Sequence, residues 1–397
     1  MIVEKPIKEL APGHYVVDIV EQDGTYQLKK PGHIKNQAVI SHLAKRGVRS
    51  ILIDTSKTLI SIHKGEDGNH IFRKDDQDAA FPEPLTLDFA KAKSLFSQSK
   101  KIQRQYLYDI INGKDLDIEP VQEITDQTVD AIFKNPDAMA CVLNIRNKDE
   151  YLLEHSVSVS ILMAIFARHL NFDRQIAREL SIGAFLHDVG KIRIPDEILN
   201  KPTKLTPEEF KIMQTHVNHS IDIIQNTPGI SELSQEVAAL HHEKLNGKGY
   251  PYQLANDDIS QYGRMITICD IFDALTADRV YKSGYCHVKA FNILRKLGEA
   301  GELDTSLVNR FIKCMGVYPV GSLVELNSHK LAIVEARNPR DPINPKVRSF
   351  YNIDYRHYTM AEDIDLSEDE DFIVKSVRAN EFNLEMNKIV EFLMLQG

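Results

Sequence analysis

Hydrophobic residues recur at three- and four-residue spacing through most of the middle of the chain. This spacing predicts helices over Tyr151 to Leu170, Arg174 to Gly190, Thr206 to Asn226, Glu232 to Leu245 and Gly263 to Asp278. The third helix has a strong start signal, because Thr206 can cap it, Pro207 suits its first position and Glu209 can complete a capping box. The region from about 118 to 316 is therefore expected to be helical.

The N-terminal region has a different pattern. Val39, Ile40 and Leu43 have helical spacing, Gly47 can end that helix, and 48–53 is typical of a strand. These features predict a small α/β domain, with a candidate sensory or regulatory role. A polar stretch over 64–78 then resembles a linker, and the helical spacing from 85 to about 114 predicts a long helix that couples the first domain to the second.

The C-terminal region is expected to be rich in β-structure. Short runs with β-branched residues, separated by Asn, Pro and Asp, predict strands at 321–327, 331–335, 347–353 and 372–377. The acidic run over 362–371 is expected to be a solvated loop, and 381–395 a last helix. The predicted domains are 1–80, the linker and coupling helices at 81–135, the central domain at 136–316 and the extension at 317–397.

Charge and composition exclude several classes of protein. The chain of 397 residues has 48 Lys and Arg against 57 Asp and Glu, a formal net charge of −9. Such a chain has no overall positive field to hold a nucleic-acid polymer or an anionic membrane. The longest central apolar run, 157–166, is shorter than the ~20 residues of a membrane helix, and acidic residues near the start do not resemble a signal peptide. A cytoplasmic protein with reduced cysteines is expected.

Histidines are concentrated in one part of the chain, where seven of the 15 lie between positions 155 and 242. His187 and Asp188 follow the apolar run 182–186 and offer two adjacent metal ligands. A carboxylate has two oxygens and can bridge two cations, whereas a neutral imidazole serves one. The alternative is an ordinary helix end in which His and Lys complement the dipole and Gly190 is the cap.

Three further features add to this candidate metal site. His241 and His242 are adjacent and precede the glycine-rich turn N-G-K-G-Y-P, which by itself would indicate only a tight loop. His216 lies midway along the predicted capped helix. Asp270 falls inside the apolar run M-I-T-I-C-D-I-F, where an unpaired carboxylate would be costly to bury, so a metal is a suitable partner.

Together these residues form a set of nitrogen and oxygen ligands without thiolates. Such a set suits Fe, Mn, Ni or Zn better than Mg or Ca, which prefer oxygen alone. Two metals about 3.5–4 Å apart would activate a water and polarise a phosphoryl oxygen for in-line attack. The chemistry indicated is phosphoester hydrolysis.

The order of these motifs resembles the HD-GYP family of bacterial cyclic dinucleotide phosphodiesterases. The resemblance covers about residues 150–316 and rests on H-D-V-G-K at 187–191, K-P-T-K-L-T-P-E-E-F at 201–210, H-H-E at 241–243, N-G-K-G-Y-P at 246–251 and D-I-F-D-A-L-T-A-D-R-V-Y-K at 270–282. The segments A-P-G-H-Y-V-V-D and L-A-K-R-G-V-R-S-I-L-I-D resemble the uncharacterised domain that often precedes HD-GYP. The implied fold is mainly α, an all-helical HD-type bundle with a binuclear metal site, flanked by a small N-terminal α/β domain and a small β-rich C-terminal extension.

The resemblance implies two divalent transition metals, with Fe or Mn expected ahead of Ni or Zn. One metal would be held by His155, His187, Asp188 and Asp270. The second would be held by Asp188 as a bridge, His216, His241 and His242.

The resemblance also implies substrate contacts and catalytic roles. Lys191 would bind or protonate the scissile phosphate beside the metals, with Asp188 as the bridging carboxylate. Arg279 and Lys282, three residues apart, would contact substrate phosphates from one helix face. The signature loop of Gly249, Tyr250 and Pro251 would shape the pocket.

The function implied is hydrolysis of cyclic di-GMP to linear pGpG, with further cleavage to GMP left open, through attack of a metal-bound hydroxide. One alternative is a phosphodiesterase for 3′,3′-cyclic GMP-AMP, since no motif in the sequence identifies a residue that would distinguish guanine from adenine. The other is a module that senses the nucleotide, or docks diguanylate cyclase domains through Gly249 to Pro251, with little turnover. A homodimer is left open.

Overall fold

The structure is a computed structural model that describes residues 2–11, 13–23, 32–34, 37–55, 86–114, 116–144, 151–277, 284–338 and 341–396. The chain divides into two compact units, one of residues 84–315 and one that comprises 1–83 and 316–397. No helix among the described residues is long and apolar enough to cross a membrane. The predicted linker at 64–78 lies outside these residues.

The N-terminal region forms a four-stranded sheet with one helix. Its elements are β1 (Ile2–Pro6), β2 (Tyr15–Gln22), β3 (Gly32–His33), α1 (Gln37–Lys45) and β4 (Val48–Asp54). The strand order is β1-β4-β2-β3, and each neighbouring pair is antiparallel. Ile40 and Leu43 of α1 pack with Ile51 and Ile53 of β4 in the core of the sheet. The helix and strand predicted here are confirmed.

The unit of residues 84–315 is helical. Its helices are α2 (Thr86–Ile111), α3 (Glu119–Lys134), α4 (Pro136–Leu143), α5 (Tyr151–His169), α6 (Arg174–Leu186), α7 (Asp196–Leu199), α8 (Pro207–Gln225), α9 (Glu232–Leu240), α10 (Gln261–Thr276), α11 (His287–Glu299) and α12 (Thr305–Met315). Helix α5 is buried along most of its described length and packs against α2, α3, α4, α6, α10 and α12. A helix that is apolar on nearly all sides is suited to a central position.

Side-chain caps fix where the helices around the site begin. Asp173, Ser231 and Ser260 accept backbone N–H groups at the starts of α6, α9 and α10. Thr206 and Glu209 form the predicted capping box of α8. Each cap satisfies backbone donors that have no partner inside the helix.

Two helices are shorter than predicted. Helix α6 ends at Leu186, and the chain continues as a 3-10 turn over Val189–Arg193. A β-carbon on Gly190 would lie 2.0 Å from the carbonyl oxygen of His216, so this glycine lets the turn lie directly against α8. Helix α9 ends at Leu240, because the chain then turns through the histidine pair into the signature loop.

The C-terminal region forms a five-stranded antiparallel sheet. Its elements are β5 (Leu323–Leu326), β6 (Lys330–Ala336), β7 (Lys346–Asn352), β8 (His357–Asp365), β9 (Ile373–Val377) and α13 (Met386–Gln396), and the strand order is β8-β7-β6-β5-β9. One face packs Phe350 and Leu331 against Ile389 and Leu393 of α13. The other face has its own apolar cluster around Val334 and Val347.

Two predictions for this region are wrong. The acidic run over 362–371 is not wholly a loop, because 362–365 belong to β8 and pair with β7. The guanidinium of Arg348 on β7 donates to both carboxylate oxygens of Asp363, and such a cross-strand charge pair compensates for an acidic strand. The last helix begins at Met386 rather than 381, because a 3-10 turn over Ala379–Phe382 and a left-handed Asn383 precede it.

Candidate metal centre

The seven predicted ligands lie together although they come from five helices. The helix α5 contributes His155, α8 contributes His216 and α10 contributes Asp270, while His187 with Asp188 follows α6 and His241 with His242 follows α9. Two groups have ligand atoms that all lie within 4.8 Å of one another: His155, His187 and Asp188 form the first, and His216, His241 and His242 the second. All seven side chains are buried except that of His242, which is 26% exposed.

Asp188 faces both groups. Its Oδ2 lies 3.5 Å from Nε2 of His155 and 3.4 Å from Nε2 of His187. Its Oδ1 lies 3.3 Å from Nε2 of His216 and 3.8 Å from Nε2 of His241. Adjacent residues within a helix would diverge, but α6 ends at Leu186 and the backbone of Asp188 is no longer helical, so the side chains of His187 and Asp188 enter the same site.

Asp270, on helix α10, completes the polar cluster. Its Oδ1 lies 3.0 Å from Nε2 of His155, and its Oδ2 lies 3.7 Å from Nδ1 of His242. The apolar neighbours of this carboxylate predicted that it needs a partner, and these two imidazoles contact both of its oxygens.

Hydrogen bonds fix the orientation of three imidazoles. In each, Nδ1 donates to a backbone carbonyl three residues earlier, at 2.6 Å for His187, 2.6 Å for His216 and 2.7 Å for His241. The neutral ring then has no proton on Nε2, whose lone pair points into the cluster. This arrangement is typical of metal-bound histidine.

The atoms inside the cluster are suited to bind a cation. In His216 and His241 the ring proton is on Nδ1, where it is donated to a backbone carbonyl. Their two Nε2 atoms lie 3.3 Å apart, and neither carries a proton to donate to the other. The buried Nε2 of His187 and Oδ1 of Asp188 make no hydrogen bond. Buried polar atoms are almost always satisfied, so orphaned acceptors at the centre of a His and Asp cluster fit divalent metals.

Electrostatics keeps Asp188, His241 and His242 in the protonation states that bind metals. Burial lowers the pKa of His241 well below its ordinary value and that of His242 to about 3, so both stay neutral. Burial opposes ionisation of Asp188, but the charge of Lys191 and the contacts with His187 and His216 together outweigh it and hold the pKa well below its usual range. Burial also opposes charge on His155, yet hydrogen bonds with Asp270 and Asp273 raise its pKa to about 9. The carboxylates thus attract positive charge to the site.

Asp273 is a site residue that the sequence analysis missed. It is fully buried, and its Oδ2 lies 2.8 Å from Nδ1 of His155. A carboxylate on the outer nitrogen orients the imidazole and increases its basicity as a ligand. The available signal was the spacing in D-I-F-D, which places Asp273 one turn after Asp270 on α10.

Glu243 holds the signature loop, a role that the sequence analysis did not assign. Its buried carboxylate accepts the backbone N–H groups of Tyr252 at 2.7 Å, Gln253 at 3.1 Å and Leu254 at 3.1 Å. A β-carbon on Gly249 would lie 2.5 Å from the Cα of Glu243, so only glycine lets the loop fold back here. The loop is therefore tied directly to the residue that follows the histidine pair.

The loop brings Tyr250 to the metal centre. The centroid of its ring lies 4.6 Å from that of His242, and a cis peptide bond joins it to Pro251. Burial raises the pKa of the Tyr250 phenol, which therefore stays protonated and is able to donate a hydrogen bond. Lys191 lies on another side of the cluster, with its Nζ 2.5 Å from Oδ2 of Asp188 and its side chain 20% exposed.

A cavity of about 420 Å³ opens beside the centre, and His242, Tyr250 and Asp270 are among its lining residues. Arg279 and Lys282, the predicted phosphate contacts, lie outside the described residues. The two described ends of that segment are Ala277 and Gly284, which both line the cavity.

Comparison with known proteins places this geometry in a family. Residues 141–307 match the HD domain family, and residues 2–121 match a domain of unknown function, DUF3391. The cyclic di-GMP phosphodiesterase PA4108 of Pseudomonas aeruginosa is 31% identical over 359 residues, which cover 89% of this chain and 86% of that protein. The chain belongs to the HD-GYP family. The expected mainly α fold with small sheets at both ends is confirmed.

Two other relatives of this HD-GYP chain match shorter regions. A cyclic di-GMP phosphodiesterase of Thermotoga maritima is 30% identical over 58% of this chain and 63% of that protein. The 3′3′-cGAMP-specific phosphodiesterase 2 of Vibrio cholerae is 50% identical over 98 residues, which are 24% of this chain and 19% of that protein.

Proposed function

We propose that this chain is a metal-dependent phosphodiesterase that hydrolyses cyclic di-GMP to linear pGpG. The observation that carries the proposal is the Asp188 carboxylate, whose two oxygens face two separate groups of imidazoles. Cyclic di-GMP as the substrate is supported by the similarity to PA4108, a cyclic di-GMP phosphodiesterase that matches 89% of this chain.

The ligand set proposed for two metals is the one predicted from the sequence. His155, His187, Asp188 and Asp270 would hold one metal, and Asp188, His216, His241 and His242 the other. The mixture of imidazole and carboxylate suits Fe or Mn, with Ni or Zn as alternatives. Two such metals supply Lewis acidity toward the phosphoryl oxygens and lower the pKa of water at the site.

The chain itself positions the substrate and handles its charge and protons. Lys191, partly exposed beside Asp188, would bind a phosphate oxygen and donate a proton to the leaving oxygen. The protonated phenol of Tyr250 would donate a hydrogen bond to a second phosphate oxygen, and Gly249 and Pro251 keep that ring beside His242. Arg279 and Lys282 are proposed as phosphate contacts because they match the motif of the family, and their spacing would place both on one helix face.

The second candidate is hydrolysis of 3′,3′-cyclic GMP-AMP. The high identity to a 3′3′-cGAMP-specific phosphodiesterase over 98 residues favours it. A sensing module with little turnover is disfavoured, because such a module does not need every ligand in place. Docking of a diguanylate cyclase through the Gly249 to Pro251 loop, and formation of a homodimer, stay predictions.

The test is hydrolysis by protein purified without oxygen and loaded with Mn²⁺ or Fe²⁺. We expect cyclic di-GMP to be cleaved faster than cyclic GMP-AMP, with pGpG as the first product by chromatography and mass spectrometry. Asp188→Ala should lose both bound metal and hydrolysis, while Asp258→Ala, at an exposed carboxylate, should lose neither. Turnover that persists in Asp188→Ala refutes the proposal.

A further inference from the structure

The cavity beside the metal centre has the size and position of a nucleotide subsite. Its volume of about 420 Å³ falls in the range of ~300–1,000 Å³ that is usual for small-molecule pockets. His242 and Asp270 belong both to its lining and to the metal cluster. A phosphate held at the metals would therefore place the sugar and base of its nucleotide in this cavity.

The lining of the cavity suits a flat purine. Ile271, Ala274 and Leu275 share a face of α10 and, with Ala277, form an apolar wall, and Tyr250 adds an aromatic ring. A base presents two apolar faces that pack on such surfaces, and its hydrogen-bonding atoms lie at the edge. The wall by itself would accept guanine and adenine equally, so discrimination has to come from polar groups.

Lys244 is the one cation among the described lining residues of this cavity. Its Nζ lies 2.7 Å from Oε2 of Glu302, and its side chain is 38% exposed. Glu302 is fixed in turn, because its carbonyl oxygen accepts the N–H of Leu245 at 3.0 Å. The ammonium is therefore held in place by a carboxylate while it keeps further donor protons available.

We propose that Lys244 is a specificity-determining residue that selects guanine in this cavity. This inference rests on the proposed function and adds that the cavity recognises the guanine base of the substrate. Guanine presents two acceptors, O6 and N7, on one edge, whereas adenine presents N7 beside an N6 amino donor. The Lys244 ammonium can donate to both acceptors of guanine, whereas on adenine it would face the N6 amino group, which is itself a donor. No sequence motif marks Lys244 for this role, which becomes visible only from its place in the lining of the cavity.

The experiment uses the whole chain loaded with Mn²⁺. Wild type is compared with Lys244→Met, with Lys244→Arg and with Lys296→Met, a control at an exposed lysine on α11. The ratio kcat/KM is measured for cyclic di-GMP, cyclic di-AMP and bis(p-nitrophenyl) phosphate, a phosphodiester without a base. Calorimetric Kd values for GMP and AMP give a second readout that needs no turnover.

We expect Lys244→Met to reduce the preference for cyclic di-GMP over cyclic di-AMP about tenfold, and the preference for GMP over AMP by a similar factor. Turnover of bis(p-nitrophenyl) phosphate should stay unchanged. Lys244→Arg should retain the guanine preference, and Lys296→Met should behave as wild type.

Two results overturn the inference in different ways. If wild type hydrolyses cyclic di-GMP and Lys244→Met keeps its base preference, or loses activity equally on all three substrates, Lys244 does not read the base. If wild type hydrolyses bis(p-nitrophenyl) phosphate but no cyclic dinucleotide, the proposed function fails and the inference fails with it.

Discussion

Nδ1 of His155 lies 2.8 Å from a carboxylate oxygen of Asp273, while Nε2 of the same ring faces Asp188 and Asp270. The imidazole is therefore held between an outer carboxylate and the candidate metal centre. This contact joins α5 to α10 and fixes the direction of a predicted ligand.

Asp273→Asn should weaken metal binding without removing any predicted ligand. The amide carries no charge, so the imidazole of His155 loses basicity and its fixed orientation. We expect about a 10- to 100-fold loss of metal affinity, measured by titration of metal-free protein with Mn²⁺. The control Asp258→Asn changes an exposed carboxylate. Unaltered metal affinity in Asp273→Asn would show that the contact does not orient a ligand.

Glu243→Gln should disturb the signature loop and leave the metals bound. The carboxylate accepts three backbone N–H groups through two oxygens, whereas the amide has one acceptor oxygen and would turn its NH₂ toward a donor. A buried donor left without a partner costs about 1–3 kcal/mol of folding stability. We expect a lower urea midpoint and a lower kcat with normal metal content. Loss of bound metal in Glu243→Gln would contradict the assignment of Glu243 to the loop alone.

Gly190→Ala should destabilise the helical unit and remove bound metal. The added β-carbon would lie 2.0 Å from the backbone oxygen of His216 and 2.4 Å from the backbone nitrogen of Ser220, so α8 has to move. Overpacking of this kind costs about 1–3 kcal/mol or more. Gly32→Ala is the matched control, since nothing lies within 4 Å of its added β-carbon. Urea unfolding of both variants tests the difference, and equal midpoints would refute it.

Removal of metal should lower the thermal stability of the protein. The unpaired acceptors of His187 and Asp188, and the facing nitrogens of His216 and His241, would gain a partner when a cation binds. A metal at 100 times its Kd stabilises the folded state by about 2.7 kcal/mol. Tm should fall after chelation and recover with Mn²⁺, and this shift should shrink in Asp188→Asn. A Tm that does not respond to metal would argue against the site.

Lys100→Met should lower the free energy of unfolding, because it removes the ion-pair partner of a buried carboxylate. Nζ of Lys100 on α2 lies 2.9 Å from Oε1 of Glu154, which precedes His155 on α5 and is 3% exposed. Removing one partner of a buried pair costs about 3–5 kcal/mol. Lys101→Met changes an exposed neighbour on the same helix and should be nearly neutral. Similar urea midpoints for the two variants would show that the pair does not couple α2 to α5.

The helices around the site were predictable because their signals are local. Apolar spacing and capping residues such as Thr206 act within one or two turns, so they can be recognised in the sequence. Helix ends were less predictable. Gly190 and His241 lie where the chain leaves the helix because of packing against α8 or entry into a loop, and neither cause is visible in local spacing. The strand at 362–365 likewise depends on its partner β7.

The sequence by itself determined which candidate ligands the chain offers, because His187-Asp188, His241-His242 and Asp270 are residue types that can bind metals. The tertiary structure alone decided that the two oxygens of Asp188 face different groups, that Asp273 orients His155 and that Glu243 ties the signature loop. The physical reason is that a residue type fixes which atoms can donate or accept. Distances of about 3 Å between residues far apart in the chain arise only when helices pack.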